Sequence, residues 1–171
     1  AAAQALERDL EEKKLRLHYQ PQVDAQGRVV GAEALLRWNF SGEPVYPPLA
    51  VRLAQEAGIY DRMTFFLLDQ ACRALPRFME HTPPQFHLSV NISAEQLADE
   101  AFVHQAEAVV LRNGAQGHIV LEVTEETALT QGQRRQKGGH GRRLHIYDDH
   151  GISLLGFPLT GQDIILLLQI K

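Results

Sequence analysis

From Leu15 to Val23 the chain reads LRLHYQPQV, apolar and polar residues in turn, which is the period of a half-buried strand. Pro21 is expected to close it. After a turn at DAQG, the stretch VVGAEALLRW (Val29 to Trp38) reads as a second strand, and so short a link predicts an antiparallel pair. A Gly/Pro-rich loop, NFSGEPVYPP, follows. PLAVRLAQEAG then reads as a helix opened by Pro48 and stopped by Gly58, and MTFFLLDQACRALPRFME as a second helix with Pro76 near its end. HLSVNIS (His87 to Ser93) is a short strand. Ser93 suits the N-cap of one long helix, AEQLADEAFVHQAEAVVLRNG, closed by Gly114. GHIVLEVTEE (Gly117 to Glu126) and LHIYDD (Leu144 to Asp149) are the next strands. Strands alternating with helices predict an α/β class with a mostly parallel sheet. Between the last two strands the pattern fails. GQRRQKGGHGRR (Gly132 to Arg143) carries no apolar stripe for a crossover helix and reads as a basic loop.

The apolar runs are interrupted by polar groups at corresponding places. In EALLRW, alternation sets Glu33, Leu35 and Arg37 on one face and Ala34, Leu36 and Trp38 on the other. The second set can pack under helices. The first can look into a site, because ligands in α/β sheets and barrels bind at the C-terminal ends of the strands. Asn91, Glu122 and the pair Asp148–Asp149 stand in or near such ends too. Carboxylates that converge repel one another unless a cation lies between them, and oxygen donors with one amide suit Mg²⁺ or Mn²⁺, or Ca²⁺ in a larger cage. Two such ions can clamp a phosphodiester and activate water, and Arg37 could bind phosphate or a base edge. Each residue also has an ordinary explanation: a Glu33–Arg37 ion pair, a cap at Asn91, edge-strand carboxylates at Glu122 and Glu125, a strand end at Asp148–Asp149. What joins them is that four strands repeat the same device. The histidines show no zinc spacing, and His18 and His87 are expected to be packing residues. No phosphate-binding Gly-rich loop and no G-x-S-x-G elbow is present.

Composition narrows this further. The 171 residues suffice for one domain with a core, and a net charge of -4 argues against a nucleic-acid binder, so no DNA partner is expected. Cys72 is the only cysteine, which excludes an internal disulfide. The opening AAAQALERDLEEKKL lacks a signal-peptide core and reads as a helical lead-in over 1–14, continuing an upstream helix if the domain is cut from a longer protein.

YQPQVD (Tyr19 to Asp24), GAEALLRW (Gly31 to Trp38), SVNISAEQL (Ser89 to Leu97) and LEVTEE (Leu121 to Glu126) resemble, in order and spacing, the motifs of EAL domains, phosphodiesterases that cut cyclic di-GMP to linear pGpG. The resemblance runs from about Leu15 to Thr127. It implies a modified (β/α)₈, TIM-like barrel with one antiparallel strand, incomplete here because such a barrel takes roughly 250 residues. By the same resemblance Glu33, Asn91, Glu122, Asp148 and Asp149 hold a two-metal site of Mg²⁺ or Mn²⁺, with Glu33 and Asp149 in catalytic positions. Glu125 steadies a neighbouring loop, and Gln20, Leu35 and Arg37 contact the dinucleotide. It further implies homodimers, fusion to sensor or GGDEF-type domains, and a module facing the cytoplasm even in a membrane-anchored parent. The sequence departs from the family at DDHGISLLG, where His150 replaces a Phe and a T-G pair is missing. The Lys of the family's later K-I-D strand falls nearer Gln169 than Lys171. These departures set a second expectation beside the first, a degenerate EAL domain that senses cyclic di-GMP or docks a partner without hydrolysis.

Overall fold

The computed structural model describes residues 1–123 and, beyond them, the backbone of strands at 144–147, 152–158 and 164–170. After helix α1 (Ala2–Glu11), the two alternating tracts form β1 (Arg16–Val23) and β2 (Val29–Arg37), antiparallel, with Gln20 opposite Glu33. The first strand does not stop at Pro21. It runs through to Val23, because β1 lies at a sheet edge, where a missing N–H costs no ladder bond, and the register shifts only at Gln22/Val23. The following loop holds a two-stranded ribbon, β3 (Asn39–Phe40) and β4 (Glu43–Pro44).

Two helices return the chain to the sheet. α2 (Pro47–Glu56) begins with proline in its first turn, and α3 (Tyr60–Met79) starts a little earlier than the apolar pattern suggests. Strand β5 (His87–Asn91) then pairs parallel to β2. The expected single long helix after Ser93 is two: α4 (Ala94–Ala98) and α5 (Glu100–Arg112). Asp99 breaks them apart, in an extended conformation, and its carboxylate caps α5 by accepting from the Ala101 N–H at 3.0 Å. β6 (Ile119–Val123) pairs parallel to β5.

The sheet order is β1-β2-β5-β6-β9-β8-β7, where β7 is Leu144–Tyr147, β8 Ile152–Pro158 and β9 Ile164–Ile170. The expected parallel arrangement holds for β2, β5 and β6 but not beyond, since β9 runs antiparallel to β6 and β7–β9 are antiparallel among themselves. Among β7, β8 and β9 the reason is connection length: parallel pairing needs a crossover of a dozen or more residues, commonly a helix, and the links from β7 to β8 and from β8 to β9 are too short for one. The class is α/β, an incomplete TIM-like barrel with an antiparallel first strand.

One sheet face is apolar. Ala32, Ala34, Leu88, Val90, Ile119, Leu121 and Val123 are buried against α3 and α5, with Leu68, Cys72, Phe102 and Val110. A second cluster joins α1 to α2, the start of α3 and the end of β2 through Leu6, Leu36, Trp38, Ala54 and Met63. Trp38 donates its indole N–H to the buried Asp9 carboxylate at 2.9 Å, which fastens α1 to the end of β2. With the helices on that side, the opposite face is left to polar side chains.

Candidate functional site

Strand parity builds the site. In β2, Ala32, Ala34 and Leu36 are buried, as is Trp38 just after it, while Glu33, Leu35 and Arg37 are half-buried on the other face. Parallel register lays Glu33 beside Ser89 and Asn91 beside Glu122, so β5 and β6 add His87, Ser89, Asn91 and Glu122 to the same face. On the other side, Gln20 faces Glu33 and Gln22 faces Gly31 across the antiparallel pair.

Three expected ligands come together here. Asn91 Nδ2 donates to Glu33 Oε1 at 3.2 Å, bridging residues 58 apart in sequence. Glu122 is close enough to Glu33 for the two carboxylates to repel. Its pKa is raised, first by burial; Ser89 beside it favours the charged form, Glu33 opposes it, and Gln22 again favours it. Ser89 Oγ is itself buried and not aligned for a hydrogen bond with any partner. Gln20 is exposed on the edge strand. Arg37 does not form the ion pair with Glu33 that was one ordinary explanation: its Nη1 donates to the Leu36 carbonyl at 2.9 Å. Leu35 stands between Glu33 and Arg37, half-buried. Glu125, Asp148 and Asp149, with His150 and Lys171, lie outside the described residues, while Gln169 is in β9, opposite Val120.

The segment after Asn91 is held firmly. Ile92 N–H donates to the Glu122 carbonyl at 2.9 Å, extending the ladder past the strand. Ser93 and Gln96 form a reciprocal capping box at 3.1 Å each way. The Gln96 amide then reaches α3, donating to Asp61 at 2.9 Å and Thr64 at 3.0 Å. Of the two strand histidines, His18 is exposed rather than packed, so that expectation is corrected: β1 has no neighbour on its outer edge to cover it. His87 is half-buried, with its pKa lowered by burial, and packs over Gly31, where a Cβ would stand 2.8 Å from the imidazole.

Chemically, the face offers two carboxylates and an amide. Among the described residues no group of three or more His, Cys, Asp or Glu gathers to hold a metal alone. The donors nevertheless fit a hard cation: a buried carboxyl beside a second one is disfavoured as an anion until positive charge arrives. With Asn91 Nδ2 turned to Glu33, its Oδ1 is the atom left for such an ion. Ser89 and Gln22 were not singled out from the sequence. Their signal was parity alone, two residues before Asn91 and two after Gln20.

The EAL domain model matches residues 3–155. The chain is 35% identical over 127 residues to the bifunctional diguanylate cyclase/cyclic di-GMP phosphodiesterase MucR of Pseudomonas aeruginosa, covering 72% of this chain and 18% of that protein. It is 34% identical over 163 residues to the uncharacterized protein Rv1357c of Mycobacterium tuberculosis, covering 88% of this chain and 53% of that one. The solved PaMucR phosphodiesterase in complex with c-di-GMP superimposes with a TM-score of 0.63 at 31% identity, over 71% of this chain and 51% of that chain. The chain thus spans between 18% and 53% of the length of these curated relatives.

Proposed function

The chain belongs to the EAL domain family, and from that premise we propose that its site binds cyclic di-GMP and hydrolyses it to linear pGpG with Mg²⁺ or Mn²⁺. The observation that carries this reading is the convergence of Glu33, Asn91 and Glu122 from three strands onto one sheet face. Relatives whose names include cyclic di-GMP phosphodiesterase support the substrate. Glu33, Asn91 Oδ1 and Glu122 are the ligands proposed from geometry; Asp148 and Asp149 join them on motif alone, with Asp149 beside Glu33 in the catalytic role.

When bound, divalent cations would supply Lewis-acid stabilisation of the phosphoryl oxygens and a water of lowered pKa. The chain's own groups do the rest. Asn91 holds one oxygen of Glu33 and leaves the other free of that bond. Arg37, at the C-terminal end of β2, is the cation for the phosphate, and Gln20, on the neighbouring strand, offers an amide to a base or ribose. Leu35 gives an apolar surface between Glu33 and Arg37. Glu125 steadies the adjoining loop. In the whole protein we place this module on the cytoplasmic side, as a homodimer joined to sensor or GGDEF-type domains. No helix of the described residues is long and apolar enough to cross a membrane.

The test is turnover of cyclic di-GMP by the full chain with Mn²⁺. Glu33→Ala is expected to lower it at least ~100-fold, on the order of the loss from removing one transition-state stabilising group, while leaving the fold intact. Unchanged turnover in Glu33→Ala overturns the ligand assignment. The altered DDHGISLLG segment favours a second reading, a sensor that binds the dinucleotide without cutting it. Saturable binding without product identifies that case.

A further inference from the structure

Ser89 is the one buried side chain among the described residues whose polar atom has no hydrogen-bond partner. It is 1% exposed, on β5 between β2 and β6, level with Glu33 on β2 and one step along the face from Glu122 on β6. A hydroxyl carries a donor and two acceptor sites, and leaving it unpaired in the interior is unfavourable. Its apolar replacement would be tolerated there, since the opposite face of the same strand is packed with Leu88 and Val90 and needs nothing from Ser89. What surrounds the hydroxyl is chemistry that accepts a proton: the Glu122 carboxyl beside it and Glu33 across the strand pair.

We propose that Ser89 is a positioning residue for the site: rotation about χ1 lets its hydroxyl donate to the Glu122 carboxylate and fix which oxygen Glu122 presents to a divalent cation. This rests on the metal-dependent reading above. A residue that acts on a metal through its ligand typically changes affinity by about 10–100-fold when removed. Ser89 differs from an ordinary buried serine in a measurable way. One already bonded would lose stability on conversion to alanine, whereas an orphaned hydroxyl would not.

The experiment compares Ser89→Ala, Ser89→Thr and Ser89→Val in the full chain. The last two share a volume and differ only in the hydroxyl, so any cost of added bulk cancels between them. Mn²⁺ titration by calorimetry is the main readout and the metal-free Tm the second. Expected are a ~10-fold weaker Mn²⁺ affinity in Ser89→Ala at an undiminished Tm, and Ser89→Thr binding at least ~5-fold more tightly than Ser89→Val. Equal Mn²⁺ affinity in wild type and Ser89→Ala, or in the Thr and Val variants, overturns the proposal and leaves the metal site standing. A wild-type chain that binds no Mn²⁺ overturns the metal reading, and this assignment with it.

Discussion

At Glu122, burial first and the nearby Glu33 carboxylate next push the pKa above its ordinary 4.5, with Ser89 and Gln22 only partly offsetting them. The linkage has a definite sign. Below the ordinary value the group is protonated in both folded and unfolded chains and contributes nothing. As pH rises from there through the raised value, the unfolded chain ionises first, and stability is lost. Glu122→Gln removes the charge, keeps the shape, and is expected to raise Tm at neutral pH by ~2–4 °C, the shift ~1 kcal/mol gives in a chain of this size. Calorimetry should find the gain absent at pH 4, and turnover should vanish with it. A Tm lowered at pH 7.5 would contradict this account. Glu33, Asn91 and Glu122 were legible as a set because each is a charged or amide group set into an apolar strand. Ser89 and Gln22 were not, since serine and glutamine are common on strands and only the register reveals what stands beside them.

Helix ends were legible where the signal is a backbone one. Gly58 (φ 72) and Gly114 (φ 64) both take the left-handed conformation past a helix, and the two residues after each cap close the same pair of bonds, Gly58 N to Gln55 O and Ile59 N to Ala54 O, Gly114 N to Leu111 O and Ala115 N to Val110 O. The break at Asp99 was not legible, because LADEAF continues a helical apolar period and an aspartate becomes a cap only once its backbone is extended. Between elements, Asp69 on α3 clasps α5: it accepts from Asn113 Nδ2 at 2.9 Å and Arg112 Nη2 at 3.4 Å, and from Arg73 Nε on its own helix at 2.9 Å. Burial opposes its charge, but these donors outweigh burial and leave its pKa below the ordinary 3.8. A lowered carboxyl contributes stability above the unfolded value and loses it as pH falls through the folded one. Asp69→Ala should therefore cost ~1–2 kcal/mol at pH 7 in urea unfolding, less than a buried charge because the site is partly open to solvent. The wild-type advantage should fade below about pH 4.

On the scale of the molecule, the lead-in read as helical over 1–14 is part of the core. Leu6 is fully buried and Asp9 holds Trp38. Leu6→Ala is expected to destabilise by ~2–5 kcal/mol. Trp38, the only tryptophan, reports the transition by fluorescence. A loss under ~0.5 kcal/mol would mean that α1 rides on the surface. The sequence by itself determined the α/β class, the antiparallel opening pair, most helix limits, and which face of β2 bears the polar groups, because those follow from local periodicity and from residues with restricted backbones. Only the tertiary structure decided that Glu33 meets Asn91, that Glu122 is buried beside them, that Ser89 is left without a partner, and that the sheet turns antiparallel after β6. Those depend on register and on connection between strands. These are properties of pairs of segments, set by packing the apolar face against α3 and α5, and no single stretch of chain carries them.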